Sequence, residues 1–211
     1  GMHVKGATVA IQGYGNVGSS TGICLQDMGC RVIAVSDVHG GIYRQAGIDA
    51  RELARWVRSE GTVCGFPGTE PITNADLLAM PCDVLVPAAL EGQITGRNAG
   101  NVRAKIIVEG ANGPTTPEAD KILERKGVVV VPDILANAGG VTVSYFEWVQ
   151  GLQFLFWGEY EVNKRLEEIM ARAFNEVWRM ADECAVPLRL AALMLAIKRV
   201  HDATLIRGIY P

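Results

Sequence analysis

The sequence predicts a doubly wound, mostly parallel α/β sheet with a helical C-terminal extension, and three observations carry that prediction. Short β-branched runs alternate with helix-period segments through the first two-thirds of the 211 residues. A glycine-rich turn, Gly13-Tyr14-Gly15-Asn16-Val17-Gly18, falls between the first such run and the helical pattern that follows it. Beyond about Asn137 no strand-like run recurs. Strand–helix alternation demands crossover connections, and crossovers give parallel strands with helices packed on both faces.

Taken in order, Ala7 to Gln12 reads as a short buried strand and Asn16 to Met28 as the helix after it. Arg31 to Asp37 is the second strand. Asp49 to Glu60 is a helix with Asp49 as N-cap and Glu52 three residues on, the pattern of a capping box. Val84 to Pro87, Ile106 to Glu109 and Val128 to Val131 are further strands. Between the last two, Thr116-Pro117-Glu118 opens a helix: Thr as N-cap, Pro at the first helical position, an acid in the first turn. Asn137 to about Gln153 reads as a helix dense in aromatics. A second helix spaces Val162, Leu166, Ile169, Ala173, Val177 and Met180 three to four apart. Pro187 opens a third, to about Arg207, apolar nearly all round at its centre and therefore expected to be buried. No repeat or linker interrupts the chain. Residues 1–211 read as a single dinucleotide-binding domain, about 1–136 forming the sheet core and about 137–211 the helical extension and hinge region.

The bulk composition narrows the function classes. Hydrophobic residues make up 49%, charged residues 20%, and the net charge is -3. Without an extended Lys/Arg run no nucleic-acid or anionic-membrane partner is expected. The most apolar stretch, Leu190 to Ile197, falls well short of the ~20 residues of a membrane helix. Five cysteines, odd in number and widely spaced with no C-x-x-C, read as free thiols of a reducing cytoplasm, with no metal site. Gly1-Met2 reads as a tag remnant, so a fragment of a longer protein is expected.

The glycine turn carries the chemistry. Gly13 allows the tight turn, Gly15 lets backbone approach a pyrophosphate, and Gly18 lets the helix pack on the strand. A diphosphate would rest on the free N–H groups and positive end of the helix starting at Asn16 and Val17. Asp37, about 20 residues further on, stands where an acid accepts hydrogen bonds from the adenosine ribose. A carboxylate there repels a 2′-phosphate, which favours NAD. Arg44 and His39 lie close enough in sequence to leave NADP possible.

Four more segments narrow this Rossmann-like site: Pro87-Ala88-Ala89-Leu90; Val108-Glu109-Gly110-Ala111-Asn112-Gly113-Pro114-Thr115-Thr116; Asn137-Ala138-Gly139-Gly140-Val141-Thr142-Val143-Ser144; and Tyr145-Phe146-Glu147-Trp148-Val149-Gln150. With Val35-Ser36-Asp37 and Gly40-Gly41-Ile42-Tyr43, they resemble the C-terminal coenzyme domain of the hexameric glutamate dehydrogenases, within the glutamate/leucine/phenylalanine/valine dehydrogenase superfamily. The resemblance runs from about Gly6 to Pro211. It implies NAD(P) binding and oxidative deamination of L-glutamate to 2-oxoglutarate and ammonia by a homo-hexameric whole enzyme. By position it implies that Ala88 and Ala89 line the coenzyme cleft and that Asn112 bonds near the nicotinamide ribose. Asn137 would sit by the nicotinamide, Val141 would pack on substrate, and Ser144 would donate to the substrate's side-chain carboxylate. Val141 and Ser144, three apart on a helix, share a face suited to a five-carbon dicarboxylate.

The lysine and aspartate of catalysis belong, by the same resemblance, to an N-terminal domain with a glycine-rich lysine motif that is missing here. No residue of this chain is therefore expected to be catalytic, and the isolated chain is expected to be inactive. Lys5, Lys105, Lys121, Lys126, Lys164 and Lys198 read as solvated, and Glu109 and Glu147 as structural carboxylates. The seven aromatics from Tyr145 to Tyr160 admit two readings: helix packing, or a surface that docks the missing domain. A stand-alone dinucleotide sensor, the coenzyme domain of a leucine, phenylalanine or valine dehydrogenase, and a complete dehydrogenase of another family are the competing readings.

Overall fold

Val9, Ala10 and Ile11 are wholly buried, and a strand covered on both faces must be apolar at successive positions rather than alternate ones. That is the first strand of the computed structural model, which describes residues 3–208. The chain forms two compact units that divide between Val130 and Val131.

The first unit runs β1 (Thr8–Gln12), α1 (Asn16–Asp27), β2 (Arg31–Ser36), β3 (Gly41–Tyr43), α2 (Ala50–Glu60), β4 (Glu70–Ile72), α3 (Asn74–Leu78), β5 (Val84–Pro87), β6 (Ile106–Val108) and α4 (Pro117–Arg125), and the division falls within the last strand, β7 (Val129–Val131). The seven strands lie in the order β4-β3-β2-β1-β5-β6-β7. β1 pairs in parallel with both β2 and β5, and β5 with β6. This is the doubly wound, mostly parallel sheet that the sequence predicts. Successive side chains point to opposite faces, so two cores form. Ala10, Ala34, Leu77, Leu85, Ile107 and Leu123 fill one; Val9, Ile11, Val35, Ile42 and Leu53 belong to the other. β2 and β5 flank β1 on opposite sides, which makes β1 the strand at which the winding reverses. In such sheets the crevice for ligands opens beyond the carboxyl ends at that point.

The sequence reading misses β3, β4 and α3. β2–β3 and β3–β4 are antiparallel pairs of three residues each, too short to show a period. Pro71 sits in β4, where only an edge strand tolerates it. Asp37 falls one residue past β2 rather than inside it. Asp49 caps α2 as expected, accepting from the Glu52 N–H at 2.8 Å, and Thr116 caps α4 with Pro117 in its first turn.

The second unit holds α5 (Asp133–Ala136), α6 (Ala138–Gln153), α7 (Glu159–Cys184) and α8 (Leu188–Arg207). The predicted stripe on α7 is half-buried throughout and fully buried at Val177. α8 packs on α7 and α5, with Arg189 bonded to Asp133 at 3.3 Å and Arg199 paired with Glu176. The expectation of a buried α8 is corrected. Leu188, Ala191 and Ala192 are covered, but Ile197, Val200, Leu205 and Ile206 are exposed, because helices on one side cover only one face. Of the seven aromatics, Phe146 is buried and Trp157 half-buried against it at 5.5 Å; Tyr145, Trp148, Phe154, Phe156 and Tyr160 are exposed. Helix packing accounts for only two of them.

At the amino ends of the strands Asp83 acts as a staple. Its Oδ2 accepts from the Thr8 N–H at 2.8 Å and hydroxyl at 2.9 Å, and its Oδ1 from Lys105 Nζ at 2.7 Å. Lys105 and Thr8 hold its carboxyl at about 2. A carboxylate depressed in the folded state contributes stability above its unfolded pKa, near 3.9, and loses it as pH falls through the folded value. Asp83→Asn is expected to cost about 1–2 kcal/mol at pH 7, with the difference from the unmodified chain vanishing between pH 4 and 2 in urea melts. The exposed aromatics are expected to make the chain self-associate. Concentration-dependent sedimentation and uptake of an apolar dye are expected, and a strict monomer at high concentration without dye uptake would reject it.

Candidate dinucleotide site

The turn between β1 and α1 is held by strand ends on both sides. The Gly13 N–H donates to the Ser36 carbonyl at 2.8 Å, and the Ala88 N–H to the Gln12 carbonyl at 2.7 Å. Gly13 has φ +88°, and a Cβ there would lie 2.8 Å from the Ala88 carbonyl oxygen and 2.9 Å from Ala89 Cα. A Cβ on Gly18 would lie 1.9 Å from the Gly13 carbonyl oxygen. Neither position admits a side chain. Gly15 differs: a Cβ on it would meet nothing within 4 Å.

Gly15 is the N-cap of α1, without a side-chain cap, and the first turn holds no acid. Gly15, Asn16 and Val17 are exposed. The helix therefore presents its first-turn N–H groups and positive dipole end to solvent, the arrangement that takes a phosphate. The residues present fit a diphosphate: open at Gly15, closed behind at Gly13 and Gly18. Tyr14 fastens the turn from beneath, its hydroxyl donating to the Ala50 carbonyl at 2.7 Å. Burial, with the charge of Asp49, pushes its pKa well above the ordinary value.

The other carboxyl ends converge on this turn. The Gly110 and Ala111 N–H groups donate to the Pro87 carbonyl at 3.0 and 2.9 Å. A Cβ on Gly110 would lie 3.1 Å from Ala88 Cβ and 3.2 Å from Val17 Cγ1. The structure thus brings Gly13, Gly15, Asn16, Val17 and Gly18 together with Ala88 and Ala89. Gly110, which the sequence reading did not single out, joins them, and a small residue after β6 was the available signal. Asn112 is exposed and engaged by the chain. Below the turn Gln12 is buried, its Nε2 donating to Asn74 at 2.7 Å and Gln93 at 2.8 Å. No local pattern announces that contact.

Asp37 follows β2, half-buried. Its Oδ1 accepts from the His39 and Gly40 N–H groups at 2.8 and 3.2 Å. Its Oδ2 accepts from the Thr62 hydroxyl and the Val63 N–H, both at 2.7 Å. Burial pushes its pKa up, but the bonds from Thr62, Val63, His39 and Gly40 outweigh it and hold the carboxyl below the ordinary range. Arg44 is less well placed than its sequence position suggests. Its N–H donates to the Ile33 carbonyl, three residues back from the end of β2, and a Cβ on Gly68 would lie 3.7 Å from its guanidinium. His39 stays exposed in the turn.

The remaining predicted residues belong to the second unit. Asn137, half-buried and engaged, ends α5 and precedes α6. Val141 and Ser144 are exposed on α6. Glu109 is wholly buried and engaged, consistent with a structural carboxylate. Three of the lysines have partners rather than being simply solvated: Lys105 in Asp83, Lys126 in the Gly100 and Val102 carbonyls, both at 2.6 Å, and Lys198 in Asp202 at 3.0 Å.

The family model of the glutamate/leucine/phenylalanine/valine dehydrogenases matches residues 1–208. The chain belongs to this family. It is 56% identical to the glutamate dehydrogenase of Thermotoga maritima, covering all of this chain and 51% of that protein. It is 48% identical to the cryptic catabolic NAD-specific glutamate dehydrogenase of Bacillus subtilis, covering 99% of this chain and 48% of that one. The crystal structure of hetero-hexameric glutamate dehydrogenase from Thermus thermophilus, in its Leu-bound form, superposes with a TM-score of 0.93 at 38% identity, covering 100% of this chain and 50% of that one. Glutamate dehydrogenase from Peptoniphilus asaccharolyticus gives 0.82 at 40% identity, with 97% and 48% covered. The chain thus spans about half the length of the curated relatives it matches.

Gly15 and Gly18 are separable by experiment. Gly18→Ala is expected to cost about 3 kcal/mol or more, since backbone must move. Gly15→Ala is expected to melt within about 1 kcal/mol of the unmodified chain. Equal thermal stability of the two variants would contradict the close approach at Gly18.

Proposed function

We propose that this chain is the coenzyme-binding part of a glutamate dehydrogenase, with NAD as the coenzyme. The observation that carries the reading is the uncapped start of α1, open at Gly15 and joined at the same sheet edge by Asp37, Ala88 and Ala89. The first-turn N–H groups at Asn16 and Val17 hold the diphosphate, the Asp37 carboxylate faces the adenosine ribose, and Ala88 and Ala89 border the cleft. Asn112 and Asn137 serve the nicotinamide half. NAD, when bound, supplies the hydride acceptor.

The substrate is L-glutamate, deaminated oxidatively to 2-oxoglutarate and ammonia by the whole enzyme in the cytoplasm. Val141 meets its methylenes and Ser144 donates to its side-chain carboxylate; both are exposed on α6. The lean to glutamate rather than leucine, phenylalanine or valine is supported by the names of the relatives above. The lean to NAD is supported by Asp37 and by the NAD-specific relatives from Bacillus subtilis and Staphylococcus aureus, the latter 45% identical. The whole enzyme works as an oligomer, a hexamer in this reading, and relies on a further domain for its catalytic lysine and aspartate. The chain alone turns over glutamate at background.

Calorimetric titration with NAD and NADP at matched ionic strength tests this. NAD is expected to bind more tightly. Asp37→Ala is expected to weaken NAD about tenfold, roughly 1.4 kcal/mol, and to improve NADP. Tighter NADP binding by the unmodified chain would overturn the NAD assignment, and binding of neither coenzyme would overturn the coenzyme reading itself.

A further inference from the structure

The Asp37 carboxylate is saturated by its own chain. Two ionised oxygens offer about four lone-pair sites, and His39, Gly40, Thr62 and Val63 supply four donors. Asp37 also donates its own N–H to the Gly40 carbonyl at 2.8 Å, closing the turn on itself. Three of the four donors to the carboxylate are main-chain amides whose directions the backbone fixes. The fourth, the Thr62 hydroxyl, rotates about a single bond. Its direction is set by a second bond, because Thr62 Oγ1 accepts from the Cys64 N–H at 3.1 Å while donating to Asp37. Residues 62–64 also lie against the turn: a Cβ on Gly40 would be 3.1 Å from Cys64 Sγ. This segment, 25 residues from Asp37 at Thr62, is a splint for both the turn and its carboxylate.

We propose that Thr62 is a specificity-determining positioning residue, fixing the Asp37 carboxylate so that its charge tolerates an adenosine ribose 2′-hydroxyl and repels a 2′-phosphate. The inference rests on the coenzyme reading above. Oδ1 is anchored within the turn by His39 and Gly40. Oδ2 is held from the splint by one amide and one hydroxyl. Without the hydroxyl, Oδ2 keeps a single donor and swings about the Oδ1 anchor. The negative charge remains, but its fixed direction toward the 2′ position is lost, and discrimination between the coenzymes falls.

The test is a calorimetric cycle on the 211-residue chain with NAD and NADP as the two probes. Thr62→Val keeps the branched shape and removes the hydroxyl; Thr62→Ala removes it without refilling the space; Thr62→Ser retains it. The ratio of NADP to NAD dissociation constants is expected to fall about fivefold in Thr62→Val and in Thr62→Ala, less than the roughly tenfold or more that a hydrogen bond to a charged group is worth, because the charge itself and its other three donors remain. It is expected to return in Thr62→Ser and to be the same in Asp37→Ala and Asp37→Ala/Thr62→Val. A ratio unmoved in a folded Thr62→Val or Thr62→Ala chain that still binds NAD overturns this proposal alone. So does an equal fall in the Asp37→Ala background, since Thr62 would then act without Asp37. Binding of neither coenzyme by the unmodified chain overturns the coenzyme reading and this inference with it.

Discussion

The start of α1 is laid against the end of β1 so closely that a Cβ on Gly18 would sit 1.9 Å from the Gly13 carbonyl oxygen, and the rest of the site depends on that approach. A helix held further away would not place its first turn over the carboxyl end of the central strand. Pressed this close, it leaves Gly15, Asn16 and Val17 facing solvent without a cap. The N–H groups left over at a helix start are then an anion site by construction. The neighbouring strand ends follow the same economy of size. At Gly110 even a Cβ would crowd Ala88 and Val17, at 3.1 and 3.2 Å.

Two carboxylates at opposite ends of the sheet show how one chemical group serves two purposes. Asp83 accepts from Thr8 and Lys105, tying the starts of β1, β5 and β6 together. Asp37 accepts from one hydroxyl and three amides and has no cation among these partners. Its charge is thus stabilised by dipoles rather than cancelled. An anion held by dipoles still projects its field toward an arriving ligand, which a paired one does so less. The first arrangement suits a structural staple; the second suits discrimination between a hydroxyl and a phosphate.

The central strands, the glycine turn and the capped helices were legible because their signals are local. A parallel strand buried on both faces is apolar throughout, and Asp49 and Thr116 announce their helices within four residues. β3 and β4 were not legible, since three residues containing a Gly or a Pro carry no period. The position of Asp37 was legible, but its partners were not. Thr62 and Val63 reach it through tertiary packing, and nothing between positions 37 and 62 encodes that distance. Gln12 with Asn74 and Gln93 repeats the lesson at separations of 62 and 81 residues. Arg44 shows the converse: seven residues from Asp37 in sequence, it is carried back along the sheet by an antiparallel strand.

Hydropathy told where apolar residues lie on α6 and α8 but not what covers them. A helix that is apolar nearly all round reads as buried only if elements exist to surround it, and within the second unit α8 packs on α7 and α5 alone among the stronger helix contacts. Ala191 and Ala192, small enough for close approach, take the covered face, while Ile197 and Val200 take the open one. The aromatic segment divides in the same way. Phe146 and Trp157 close on each other, with Arg165 stacked over Trp157 at 4.4 Å, and the rings on either side are left outward. That division follows from the order of residues along a 3.6-residue turn: a helix facing one neighbour can satisfy one stripe, and every further apolar residue is a surface that folding of this unit does not use.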